Sequence, residues 1–182
     1  MKKNILLVLL FLTTVSIAQE KENNPLQDVN KHHEVKINAI SLIGFKWVDV
    51  AYEYLIDEES SFGTSLLFSL DGQRDIDVYK NFSITPYYRR YFSSKYARGF
   101  FIEGFGMLNT FREDYYDYNI DGTNDYNNDK QTDFAIGIST GAKFVTKKGF
   151  TAEIYLGLGR NLFNSSNHLR EVVGRGGISL GY

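Results

Sequence analysis

The chain has 182 residues with 20 basic and 22 acidic side chains and no cysteine, which leaves out a disulfide framework or a thiolate metal site. A formal net charge of -2 and a pI of 5.9 argue against nucleic acid as a partner. Thirteen tyrosines and fourteen phenylalanines against two prolines favour strands over helices.

The first element is an address. "MKKN" is basic, "ILLVLLFL" is apolar, and "SIA" offers small residues for cleavage, so residues 1–18 are expected to be a secretory signal peptide. The apolar run is too short to cross a bilayer as a helix. Residues 19–33, "QEKENNPLQDVNKHH", are polar and aperiodic, and are expected to form a flexible periplasmic leader. Residues 34–182 then make one domain, in which the dominant period is two.

"VKINAISLIG" places Val35, Ile37, Ala39 and Ile43 on one side, blurred by Ile40 and Leu42. "VDVAYEYLI" sets Val48, Val50, Tyr52 and Tyr54 against Asp49, Ala51 and Glu53. "SFGTSLLFSL" and "FSITPYYRRYF" alternate likewise, with Arg89 on the polar parity of the second. "FFIEGFGMLNTF" carries phenylalanine on both faces, but Glu103 and Asn109 fall together. "DFAIGISTGAKF" and "FTAEIYLGLG" each separate branched residues from Gly, Ser, Lys143 and Glu153. In the last segment Ile178, Leu180 and Tyr182 share one parity, and Arg175, Gly177 and Ser179 the other.

These segments predict about eight strands. The connections "DEES", "SSKYA" and "TKKG" are short, whereas "DGQRDID", residues 112–131 and "NLFNSSNHLRE" are long, and on that side only the first connection, near Gly44–Lys46, is short. Short turns at one end and long loops at the other are the pattern of a porin-like bacterial outer-membrane barrel. The expected fold is therefore all-β, an eight-stranded antiparallel up-and-down transmembrane β-barrel with its apolar parity toward outer-membrane lipid. Such a barrel is filled by side chains. The inward charges Asp49, Glu53, Arg89, Glu103, Lys143, Glu153 and Arg175 are expected to pair as an interior ion-pair network, because an unpaired buried charge is costly. A last strand ending on an aromatic is expected to close the barrel and to serve as the signal read by the barrel assembly machinery.

Tyr52-Glu53, Thr85-Pro86, Tyr88-Arg89 and Tyr91-Phe92 form a strand motif with Tyr-Glu followed by a TPxYRxYF-like run. In these residues the chain resembles a family of small outer-membrane β-barrel proteins of unknown function. That family often has an acidic residue after the proline, where this chain has Tyr87. The resemblance implies architecture and location, not an activity.

Asp117, Asn119, Asp121 and Asp125 put oxygen ligands at the spacing of a calcium loop, with Gly122 at the turn position. Position twelve is Asn128 rather than glutamate, and the same acidic, Asn-rich run also suits a solvated loop tip. Calcium is the one cofactor that the sequence suggests. His32 and His33 sit in the leader, and His168 lies near Ser165 and Ser166 without a spacing that fixes a base beside a nucleophile.

The expected role is structural or surface-binding, without catalysis, through loops chiefly in residues 112–131 that meet an extracellular partner. A soluble exported lipocalin-like ligand carrier is the alternative, and it requires the apolar parity inside. A lipid-modifying outer-membrane enzyme is a third reading, and it requires a rim triad.

Overall fold

The computed structural model describes residues 32–70, 78–93, 96–118, 124–146, 149–163 and 171–182. The expected signal peptide and most of the leader lie outside them. Eight antiparallel strands follow one another around a closed barrel. They are β1 (His33–Asn38), β2 (Trp47–Leu55), β3 (Ser60–Ser69), β4 (Val78–Tyr91), β5 (Gly99–Tyr118), β6 (Asn124–Val145), β7 (Thr151–Asn161) and β8 (Val172–Gly181). A short helix, α1 (Ala39–Phe45), joins β1 to β2.

The alternation fixes which side of each strand faces in. On β7, Thr151, Glu153, Tyr155 and Gly157 are buried, while Ile154, Leu156 and Leu158 are 55, 70 and 63% exposed on the outside. A glycine is required at 157: a Cβ there would lie 2.7 Å from Ser139 Cβ and 2.8 Å from the Ile138 carbonyl. Two apolar clusters lie inside the barrel among buried polar side chains. Leu55, Tyr91, Ala97, Phe101 and Tyr155 form one, and Tyr87, Phe105, Met107, Ala135 and Val173 the other. β8 returns to β1, and beyond its end Tyr182 and Val35 exchange both backbone hydrogen bonds at 3.0 Å.

The structure departs from the alternation in three places. The first expected strand stops at Asn38, and Ala39 to Phe45 coil instead. Asn38 caps the helix by accepting from the Ser41 N–H at 3.3 Å, and Lys46 ends it in the left-handed region at φ 53°. Ser41 turns inward while Ile40, Leu42, Ile43 and Phe45 stay exposed, which accounts for the blurred period.

Secondly, residues expected as a long loop continue the β5–β6 ladder from Arg112↔Lys130 to Tyr118↔Asn124. Tyrosines at 115, 116, 118 and 126 favour extended backbone, and each rung of an antiparallel pair positions the next.

Thirdly, β4 carries a bulge between Lys80 and Phe82. Below it the odd residues Ser83, Thr85, Tyr87, Arg89 and Tyr91 face in. The extra residue shifts the parity, so that Lys80 also reaches the interior, where its Nζ donates to Met107 Sδ at 3.1 Å.

Candidate functional site

The interior divides into a charged plug near the short turns and a cavity toward the opposite end. Glu53, fully buried on β2, is the hub of the plug. It accepts from Ser61 Oγ at 2.6 Å, Tyr91 OH at 2.5 Å, Tyr87 OH at 3.2 Å and Arg89 Nη1 at 2.9 Å, and it pairs with Lys36. Arg89 also donates through Nε to Glu103 at 2.6 Å and through Nη1 to Glu153 at 2.8 Å. Glu103 additionally holds Arg175 and accepts from Ser139 Oγ at 3.0 Å. Lys143 Nζ lies 2.7 Å from Glu34 and 3.7 Å from Glu53. The Tyr87 ring sits between two guanidinium groups, those of Arg89 and Arg175, each 4.7 Å from its centroid.

Counting these partners, Lys36, Arg89, Lys143 and Arg175 meet Glu34, Glu53, Glu103 and Glu153, four charges of each sign. The formal charges cancel within the plug. Buried pairs of this kind do not by themselves add stability, but removing one partner leaves a charge stranded.

The structure thus brings together Glu53, Arg89, Glu103, Lys143, Glu153 and Arg175. Asp49 stands apart, accepting from Asn38 Nδ2 at 3.0 Å and Ser41 Oγ at 3.5 Å. Sequence reading missed Glu34 and Lys36, although they alternate with Val35 and Ile37 and the same rule reaches them. It also missed Asn38, whose amide fills the space beside Gly177, a position with no Cβ, and donates to Tyr155 OH and the Gly176 carbonyl, each at 3.2 Å. Lys80 had no signal in the alternation, because only the bulge turns it inward.

Carboxylate oxygens of Glu34, Glu53 and Glu153 lie within 4.8 Å of one another, close enough to surround a metal ion. The Lys36 ammonium occupies that position, 3.3 Å from Glu34 and in contact with both others. The suggested calcium ligands are only partly described: the backbone ladder sets Asp117 opposite Asp125, while Asn119 and Asp121 lie outside the described residues, as do Ser165, Ser166 and His168. His32 and His33 are not a free tail. His33 begins β1, with its ring 5.2 Å from that of Tyr54 and its Nδ1 2.6 Å from Tyr52 OH, and His32 Nδ1 donates to the Leu55 carbonyl at 3.0 Å.

The cavity holds about 230 Å³. Ser41, Asp49, Lys80, Ser83, Thr85 and Arg175 supply its polar groups, and Trp47, Leu67, Met107 and Val173 its apolar wall. Polar groups converging on an apolar lining are the form of a small-molecule site.

The model of a family described as protein of unknown function (DUF3575) matches residues 5–175, and the chain belongs to that family. No curated protein and no solved structure matches the chain.

Proposed function

We propose that this member of the DUF3575 family is an outer-membrane β-barrel with a structural or surface-binding role, sealed in its periplasmic half and receptive at its outer end. The polarity of the wall carries this reading. Val50, Leu66, Ile102, Ile136, Ile138 and Leu156 face outward and are exposed, while Glu53, Arg89, Glu103, Lys143 and Glu153 are inside and at most 2% exposed. A soluble carrier needs the reverse, because water would meet that apolar band and the ligand would meet the charges.

Aromatic rings bracket the band. Tyr54, Phe62, Tyr88, Phe92, Phe100, Phe144, Phe150 and Tyr182 are exposed near the short turns. Toward the other end stand Phe45, Phe68 with Phe82, and Phe134 with Phe163, the two pairs with ring centroids 5.2 and 6.5 Å apart. Phe134 and Phe144 share the outer face of β6, ten residues apart, which is ~33 Å along a strand and roughly 25 Å along the axis of a barrel tilted as these are. That is the height of the apolar band in outer-membrane barrels. The neutral, close-packed plug favours a binding or structural role over a through-pore.

The test is fractionation of cells expressing the full chain, with gel migration compared before and after boiling. The reading expects the protein in the outer-membrane pellet and a heat-modifiable band. Recovery in the soluble periplasm with heat-independent migration would overturn it.

A further inference from the structure

At one place the barrel wall is not a ladder. β1 pairs with β8 only through Lys36↔Gly181, Ile37↔Leu180 and Asn38↔Ser179, and its pairing with β2 ends at Ile37↔Val50. Residues 172–178 of β8 therefore have β7 on one side and, among the described residues, no strand on the other. Trp47, Val48 and Asp49 of β2 have β3 alone. α1 occupies the interval. Seven helical residues reach ~10 Å, whereas seven extended residues would reach ~23 Å. A side chain makes the hydrogen bond across the seam, from Asn38 Nδ2 to the Gly176 carbonyl at 3.2 Å.

The two sides of this seam differ in chemistry. Inside is the polar cavity, and outside is an apolar groove formed by Ile40, Phe100, Ile154, Leu156 and Ile178. Gly176 borders both, and the adjacent α1 residues take one each: Ser41 the cavity, Ile40 the groove. At Gly174 nothing lies within 4 Å of the place where a Cβ would stand, so bare backbone forms the rim.

The cavity also holds a cation, Lys80, with hydrogen-bonding capacity to spare. Arg175 is taken by Glu103, while Asp49, which lines the cavity with Lys80 and attracts it, accepts from Asn38 and Ser41. Lys80 carries three N–H donors, and among the described residues its hydrogen bond goes to a thioether, Met107 Sδ, a weak acceptor. A ligand's anionic oxygen would give the ammonium a strong hydrogen-bond acceptor in place of the thioether. At about 230 Å³ the cavity has room for a small head group and the first carbons of a chain.

We propose that the seam is a lateral binding site for a single-chain anionic amphiphile drawn from the surrounding leaflet. Its head group sits in the cavity against Lys80. Its hydrocarbon chain leaves between α1 and the Gly174–Gly176 rim to lie in the outer groove. The inference rests on the membrane reading above, which supplies the lipid phase.

Trp47 is the chain's only tryptophan and lines the cavity, so its fluorescence reports occupancy. The full chain is folded into phosphatidylcholine vesicles, insertion is verified by heat-modifiable migration, and stearate brominated in mid-chain is titrated in. The expected result is saturable quenching of Trp47, with equally brominated stearyl alcohol about tenfold weaker, the size of one lost charge-assisted hydrogen bond. Lys80→Gln should remove that preference, and Gly174→Phe, which fills the open rim beside the cavity, should weaken both probes. Unsaturable quenching that is equal for acid and alcohol would overturn the proposal, as would an unchanged acid preference in Lys80→Gln. Acetate protecting Trp47 from brominated stearate as well as unlabelled stearate does would reduce the site to one for a free anion and overturn the lipid assignment. Failure to insert would defeat the membrane reading and this inference together, whereas insertion without head-group discrimination defeats this inference alone.

Discussion

Arg89 and Glu103 are direct register partners across β4 and β5, both facing in, and Arg89 Nε donates to Glu103 Oε2 at 2.6 Å. The same guanidinium reaches Glu53 and Glu153, so one side chain ties four strands together.

Arg89→Met should leave the plug one positive charge short and cost ~3–5 kcal/mol. Unfolding by urea from detergent or lipid measures it. Adding Glu103→Gln removes the directly facing carboxylate and should recover part of the loss.

Ile138 faces outward on β6 and is 70% exposed. In the membrane reading Ile138→Arg places a charge in lipid near mid-depth and should cost ~2–4 kcal/mol in the equilibrium for folding into vesicles. An unchanged equilibrium would contradict the register assigned to that face.

Gly157 faces inward opposite Ser139. Because a Cβ there would meet Ser139 Cβ and the Ile138 carbonyl at under 3 Å, Gly157→Val should overpack the interior and destabilise by ~1–3 kcal/mol. The same urea titration checks it.

Tyr182 is 66% exposed on the apolar parity, and its backbone makes a reciprocal pair of bonds to Val35 at the barrel's shortest seam. Deleting it removes those bonds and, in the membrane reading, an interfacial ring that keeps its body in lipid and its hydroxyl near water. The fraction of protein in the outer-membrane pellet should fall for this deletion and hold for a deletion of residues 19–24. Equal yields for the two would make the tyrosine incidental.

Asp57 lies in the turn between β2 and β3, outside the strands. The Ser60 hydroxyl and the Glu59 N–H, 2.8 Å from Asp57 Oδ1, hold its carboxyl below the usual range. A depressed carboxylate stabilises the folded state above its unfolded pKa, near ~4, and this contribution is lost as the pH falls through the lower folded value. The stability advantage of wild type over Asp57→Ala should therefore be present at neutral pH and vanish on acidification, as a small effect given the exposure of the turn. A pH-independent difference between the two would rule out this linkage.

Period-two alternation reaches most of this architecture because in a barrel the chemistry of each face is imposed along the whole strand. It assigns Glu53, Arg89, Glu103, Lys143, Glu153 and Arg175 to one interior. It fails where backbone geometry, not side-chain polarity, decides. One residue of bulge at Asn81 turns Lys80 inward, and a helix cap at Asn38 ends β1 after six residues. Asn38 and Ser41 are ordinary polar residues until the fold sets them beside Gly177 and Asp49. The cavity escapes the sequence for the same reason, since it is formed by the seam that α1 leaves.

The β5–β6 ladder has a mechanical consequence. Between Phe111 and Tyr118 β5 continues for seven residues, matched on β6 from Gln131 back to Asn124. β4 accompanies it as far as Val78↔Glu113, so the two-stranded part, from Asp114 to Tyr118, adds ~17 Å at the rise of an extended chain. A twisted two-stranded ribbon bends far less readily than a loop of the same length. Whatever docks at its end is held at arm's length from the barrel, and a force applied there reaches the barrel wall as torque on β5 and β6.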